Sequence, residues 1–271
     1  MIRVAVCGAA GRMGREVVGA IHAAEDAVLV AAIDKGSTGL DAGELASCGP
    51  CGVYVEQDLS AALIANKPDV MVDFSIPSAV KGNAITALNH GIRLVIGTTG
   101  LSDTDLSELN AVALQNSTAV FVAPNFAIGA VLMMEFAQRA ARFMPDVEII
   151  ELHHEQKVDS PSGTAMLTAQ RIGKERLAAG VHAAALPENQ KFNANGARGA
   201  CELATGEVPV HSVRLPGFVA HQEVIFGGPG QILTIRHDSL NRASFMPGVL
   251  MAVRKVRDLP AGLTVGLDAL M

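Results

Sequence analysis

The sequence predicts an α/β protein with a doubly wound parallel sheet in one domain and a mixed sheet, of α+β type, in a second. Three observations predict this. Over roughly the first 125 residues, short runs rich in Val, Ile and Ala alternate with helical patterns, as βαβ units require when their parallel strands are buried on both faces. In the second half, strand-like runs follow one another with only Pro and Gly turns between them, which suits antiparallel or mixed pairing. The length of 271 residues allows about two domains.

In order, strands are expected at 2–7, 28–34, 69–75, 92–97 and 118–123, and helices at 12–24, 59–65, 78–89 and 102–116. Ser102 suits the N-cap of the last helix, with Asp103 and Asp105 in the first turn, where the helix dipole favours carboxylates. Beyond these, a helix is expected near 128–143, a strand at 147–153 and a helix starting at Thr164. The stretch 187–205 is polar, rich in Gly and Asn, and loop-like. Strands follow at 208–214, 219–226 and 231–237, then a helical tail at 239–256 that can return to the first domain. The expected domains are therefore 1–125 with 239–271, and 126–238.

Composition excludes several classes of function. With 49% hydrophobic and 18% charged residues the chain is not intrinsically disordered. A net charge of −6 and the lack of a basic run argue against a nucleic-acid partner. The longest apolar stretch, 126–134, is far short of the about 20 residues that cross a bilayer, so no membrane association is expected. Met1 leads straight into the first strand with no room for a signal peptide, so the expected compartment is the cytoplasm.

The first strand ends in Gly8-Ala9-Ala10-Gly11-Arg12-Met13-Gly14. Glycines at this spacing let the backbone turn tightly and approach a pyrophosphate, which the amides of a helix N-terminus favour. Asp34 closes the second strand, where a carboxylate can accept bonds from the ribose hydroxyls of NAD, whereas its neighbour Lys35 can pair with the 2′-phosphate of NADP. Both NADH and NADPH stay open. Gly97-Thr98-Thr99-Gly100 and Ala123-Pro124-Asn125-Phe126 fall at the carboxyl ends of parallel strands, where open sheets bind ligands. They either line the nicotinamide or are ordinary strand-to-helix turns.

The segment from Glu151 to Thr164, ELHHEQKVDSPSGT, is the most informative in the chain. It puts His153, His154 and Lys157 at a strand end that runs into a helix start. Pro161 fits just ahead of that helix, and Ser162, Gly163 and Thr164 offer amides and hydroxyls at its positive end. The combination suits an anionic substrate that must be protonated during reaction, with the proton from an imidazole or an ammonium group. Asp159 is expected to cap the turn or pair with Lys157. The His-His pair lacks a third and fourth ligand at useful spacing, so no metal is expected. Of Cys7, Cys48, Cys51 and Cys201, the pair at 48 and 51 has CxxC spacing but no second half and no thioredoxin-like setting, which favours a turn of small residues over a redox centre.

Together the GxxGRMG loop, Asp73-Phe74-Ser75, GTTG at 97–100, PNFAIG at 124–129 and ELHHxxKxDSPSGTA at 151–165 resemble the 4-hydroxy-tetrahydrodipicolinate reductase family, in the right order and over most of the chain. The resemblance implies reduction of a cyclic imine dicarboxylate by NADH or NADPH, with loss of water, in the diaminopimelate route to lysine. It implies a dinucleotide-binding domain completed by the C-terminal helix, and a mixed-sheet domain that builds a homotetramer. By motif, His153 is the implied proton donor and acceptor and Lys157 a proton donor. His154, Ser162, Gly163 and Thr164 are implied to bind substrate. Gly8, Ala9, Ala10, Gly11, Arg12, Met13, Asp34, Gly97, Thr98, Thr99, Ala123, Pro124, Asn125 and Phe126 are implied to hold the cofactor, with Lys35 facing a 2′-phosphate. Ser75 stands where the family often has Thr, and Pro124 where it often has Ala; the proline removes one amide donor.

Overall fold

Seven parallel strands run through the first of two units, Met1–Phe126 with Phe245–Met271. The computed structural model describes residues 1–183 and 208–271; the loop expected at 187–205 and Cys201 lie outside the described residues. The strands are β1 (Ile2–Cys7), β2 (Ala27–Ile33), β3 (Val55–Glu56), β4 (Val70–Asp73), β5 (Arg93–Ile96), β6 (Ala119–Val122) and β11 (Gly262–Val265). Their order across the sheet is β11-β6-β5-β4-β1-β2-β3. From β1 the chain winds outward through β2 and β3, then crosses back to lay β4 on the other side of β1. The crevice of such a sheet opens where the order reverses, here at the carboxyl ends of β1 and β4.

The apolar runs become strands because both faces are covered. All four residues of β4 are buried, as are five of the six in β1. Ala5, Met71, Leu94, Ile96 and Val120 from the sheet form one core with Val80, Ala84 and Leu88 of α4 (Pro77–Asn89) and Leu109 of α5 (Asp103–Gln115). Ser102 caps α5 through a full capping box with Asp105, as its sequence indicates. The other helices here are α1 (Arg12–Ala23), α2 (Ala42–Leu45), α3 (Leu59–Asn66) and α8 (Met246–Lys255).

The second unit is Ala127–Ser244. Its central strand β7 (Asp146–His153) pairs parallel with β8 (Val210–Arg214) and antiparallel with β9 (Ala220–Gly228), which pairs with the outer strand β10 (Gln231–Ser239). Helices α6 (Ile128–Ala140) and α7 (Gly163–Ala179) pack on each other, and Gln138 donates to Glu175 between them at 3.0 Å. Gly180 ends α7 in the left-handed conformation, φ 64°, which glycine adopts without a Cβ penalty.

Two expectations need correction. The tail is not helical from residue 239: Ser239 still pairs with Ala220 as the last residue of β10, a 3-10 turn covers Arg242–Phe245, and the helix begins at Met246. The helix expected to reach 143 ends at Ala140. Three short elements were not anticipated: β3, β11 and α2. Each is four residues or fewer, too short to show a period. The third depends on Asp41, whose buried carboxylate accepts from the amides of Gly43, Glu44, Cys51 and Gly52. These bonds hold its pKa at about 2, the one from Cys51 first among them. They also make the Cys48–Cys51 segment a turn folded onto Asp41, and both thiols are free.

Candidate active site

The glycine loop follows β1 directly. Gly8 has φ 81°, and a side chain there would run into the backbone of Phe74 and Ser75 at the end of β4. Gly14 lets α1 lie against that loop, since a Cβ on it would overlap the Gly8 carbonyl. At the N-cap of α1, Gly11 makes no side-chain bond, and Gly11 and Arg12 are exposed. The first-turn amides and the positive end of the helix are thus left for an anion, and in this respect the residues fit a dinucleotide pyrophosphate. Asp34 bridges this loop to the turn after β2, accepting from Ala10 N–H at 3.0 Å and from Gly36 N–H at 2.9 Å. Lys35 is exposed beside it.

The other residues assigned to the cofactor lie at the same carboxyl edge, because β5 ends at Ile96 and β6 at Val122 in parallel register with β4. Their side chains are not equally available. Thr98 is buried and donates to Asp73 Oδ1 at 2.7 Å, whereas Thr99 and Pro124 are exposed. Phe126 is buried, with its ring 5.7 Å from Phe74 and 6.1 Å from Phe121. The Phe74 ring in turn lies where a Cβ on Gly97 would be.

Sequence reasoning missed the group that organises this edge. Asp73 is fully buried and accepts from Ser75 N–H and Oγ, Thr98 Oγ1, and Asn83 Nδ2 at 3.0 Å. One carboxylate therefore joins the ends of β4 and β5 and the flank of α4. The motif containing it was visible, but Asn83 carries no local signal ten residues away. Burial pushes the neighbouring Cys7 thiol far up, reinforced by Asp73, so Cys7 is inert core.

In the second unit His153 and the Ser162 amide meet at Glu151, and Arg214 links that carboxylate to Asp159, where Lys157 and the Gly163 amide meet. Glu151 and His153 are two apart on β7 and so share a face. The buried Glu151 carboxylate meets His153 Nδ1 at 2.5 Å and takes a two-pronged bond from Arg214 on β8, at 2.8 and 2.7 Å. It also accepts from Ser162 N–H at 3.2 Å. Burial pushes this carboxyl up, but the bonds from His153 and Arg214 outweigh it and hold the pKa at about 2. Ser162 is the N-cap of α7, its Oγ accepting from Ala165 N–H. Lys157 Nζ lies 2.6 Å from Asp159 Oδ1, and Asp159 also accepts from Gly163 N–H at the helix entry. Space beside the Gly163 Cα is open. Among the described residues no group of three or more His, Cys, Asp and Glu is placed to hold a metal ion.

The low Glu151 pKa has a consequence for stability. Its folded value, about 2, lies below the ordinary 4.5. The stability it contributes is therefore complete above the ordinary value and is lost as pH falls toward the folded one. Between about pH 6 and about pH 3 the wild type is expected to lose about 2 kcal/mol more than the double variant Glu151→Gln/Arg214→Met, which lacks this titration. Urea unfolding at the two pH values measures it, and equal losses would show that Glu151 is not held ionised.

Comparison with known proteins agrees with this geometry. Residues 2–126 match the family model described as dihydrodipicolinate reductase, N-terminus, and residues 129–271 match the model described as its C-terminus. The 4-hydroxy-tetrahydrodipicolinate reductase of Moorella thermoacetica is 48% identical over 270 residues, covering 100% of this chain and 98% of that protein. The protein of that name from Desulfitobacterium hafniense is 49% identical, covering 98% of this chain and 97% of that one. Among solved structures, a dipicolinate-bound dihydrodipicolinate reductase from Paenisporosarcina sp. TG-14 superposes with a TM-score of 0.83, at 45% identity and full coverage of both chains. An amine dehydrogenase from Mycobacterium smegmatis, 17% identical with a TM-score of 0.65 over 97% of this chain and 94% of that one, shares the fold alone. With both halves of the chain matched and near-half identity along its whole length, the chain belongs to the dihydrodipicolinate reductase family.

Proposed function

We infer that this protein is a 4-hydroxy-tetrahydrodipicolinate reductase, an NADH- or NADPH-dependent enzyme that reduces a cyclic imine dicarboxylate with loss of water, on the diaminopimelate route to lysine. The observation that carries the reading of the site is the carboxylate of Asp159, seated between Lys157 Nζ and the first amide of α7. This seat accepts a carboxylate in the chain itself, as a substrate carboxylate would require. Dipicolinate, bound by the similar Paenisporosarcina protein, is the planar dicarboxylate expected to compete for it.

The bound cofactor supplies the hydride. Gly8 to Met13 would hold its pyrophosphate, and Asp34 the adenosine ribose. The segments 97–99 and 123–126 would contact the nicotinamide half, mainly through backbone and Thr99, since Thr98 and Phe126 commit their side chains elsewhere. His154, Gly163 and Thr164 would grip the substrate. Ser162 would act through the helix entry that it caps. Hydride addition leaves a ring nitrogen that needs a proton, and His153 or Lys157 would deliver it.

The test generates the unstable substrate from pyruvate and aspartate semialdehyde with a coupling enzyme and follows nicotinamide absorbance. Oxidation that depends on the complete mixture and is inhibited by dipicolinate is expected; none with either cofactor would overturn the reading. For cofactor choice, Lys35→Ala is expected to lower kcat/KM for NADPH about tenfold, the worth of one charge-assisted contact, and leave NADH unchanged. Equal effects on both cofactors would remove Lys35 from the 2′-phosphate.

We also infer a homotetramer, supported by β10, an outer strand on which Ile232 is 75% and Leu233 39% exposed. Apolar edge strands of this kind are normally covered. Sedimentation as a monomer at micromolar concentration would contradict it. Among the described residues no helix is long and apolar enough to cross a membrane, which is compatible with the cytoplasmic setting we assign.

A further inference from the structure

We propose that Glu151, clamped by Arg214, is the positioning residue that fixes the tautomer of His153, so that this imidazole exchanges its proton with substrate only through Nε2. The proposal rests on the reductase reading above and goes beyond it by assigning the working nitrogen and the groups that select it.

Chemistry and geometry lead to it together. An ionised carboxylate has only acceptor sites, so every partner of Glu151 must donate. These partners include the guanidinium nitrogens Nη1 and Nη2 of Arg214, the Ser162 amide and His153 Nδ1. Nδ1 therefore carries its hydrogen in both charge states of the ring. The neutral imidazole keeps its lone pair on Nε2, and the imidazolium keeps its exchangeable proton there.

The same pair also locates the rest of the site. Arg214 Nη2 donates to the Asp159 carbonyl at 2.7 Å, on the residue whose side chain holds Lys157. Glu151 Oε1 takes the Ser162 amide at the start of α7. In the ladder, His153 pairs with Arg214 on β8, and Leu215 N–H bonds to the His153 carbonyl at 3.1 Å. One buried ion pair thus sets the orientation of the imidazole, the loop bearing the ammonium group and the helix mouth. The remaining ionisable groups nearby in chain or ladder include His154, Glu155, Lys157 and Asp159 after β7, Glu223 on β9 opposite Ile150, and His221 on β9, next to the His153 partner Ala220. His221 Nδ1 is committed to Asp238 at 2.6 Å, so it does not compete for Glu151.

The experiment uses the full chain in two measurements. In steady-state kinetics Glu151→Gln is expected to lower kcat about 100-fold, because an amide can donate to Nδ1 as well as accept from it and no longer selects one tautomer. KM and the affinity for pyridine-2,6-dicarboxylate are expected to stay within about threefold, because the glutamine oxygen still accepts from Arg214 and the Ser162 amide and so keeps the Lys157 loop and the helix mouth in place. A purely structural role would instead raise KM and weaken that affinity along with kcat. In the second measurement, nitrogen-15 spectra of imidazole-labelled wild type identify the His153 signals by their loss in His153→Gln. The neutral ring is expected to carry its proton on Nδ1. A kcat within about threefold of wild type, a matching loss of dicarboxylate affinity, or a neutral His153 protonated on Nε2 would each overturn the proposal. The spectra decide it if Glu151→Gln fails to fold. They also judge Glu151 independently of turnover, so a wild type without reductase activity would sink the functional reading and leave this one to its own test.

Discussion

His153→Gln is expected to lower kcat by about 10²–10⁴, the usual worth of a positioned acid–base group, while cofactor affinity stays near wild type. Glutamine fills most of the imidazole volume and can keep a bond to Glu151, so the fold is retained, but it cannot trade a proton at neutral pH. Lys157→Met is expected to cost both kcat and KM, because it removes a proton source and one half of the carboxylate seat, leaving the Gly163 amide and the helix dipole to hold the anion alone. Stopped-flow binding of NADH separates the two levels, since neither residue belongs to the unit that carries the glycine loop. Turnover within about threefold of wild type in both variants would remove the proposed chemistry.

The second large effect is expected at Gly14. An added methyl group would overlap the Gly8 carbonyl and sit 2.8 Å from the Ala9 Cα. These neighbours are backbone at a tight turn, so they cannot swing aside as a long side chain would. Gly14→Ala is expected to destabilise by about 3 kcal/mol, at the upper end for overpacking, and to lower the melting temperature by about 10 °C. NADH affinity should fall at least about tenfold, as α1 is pushed off the loop whose amides it presents. Gly19, on the same helix, has no heavy atom within 4 Å of an added Cβ. Gly19→Ala is expected to stabilise by roughly 0.5–1 kcal/mol through helix propensity alone. Opposite signs on one helix are the expected result in thermal unfolding; two neutral substitutions would mean that α1 does not pack as described.

How much of this was legible in the sequence follows from how local each signal is. Gly8, Gly11 and Gly14 announce a turn and a close helix because only glycine fits there, and the apolar runs announce buried strands because nothing polar interrupts them. The segment 153–164 displays its reactive groups side by side. Arg214 is another matter, since it meets Glu151 across 63 positions and nothing near either residue signals the other. The same holds for Asn83 and Thr98, which converge on Asp73 from a helix flank and from the end of a neighbouring strand. Short elements such as β3 and β11 owe their shape to the strands beside them, so no internal pattern could reveal them. Side-chain allegiance was also hidden. Thr98 and Phe126 stand where the cofactor is expected, yet their hydroxyl and ring serve the protein interior.

The first unit is assembled from two stretches of chain separated by the whole of the second unit. Strand β6 takes its outer neighbour from residues 262–265, and α1 is covered by α8, whose Arg254 clasps Asp26 at 2.8 and 2.9 Å. While the chain leaves the ribosome, residues 1–126 therefore emerge with one sheet edge unpaired and one helix face bare, and they stay so while more than a hundred further residues are made. Exposed edges of this sort invite pairing with the wrong strand. Nascent chains halted before β11 should consequently be the form of this protein that most needs a chaperone.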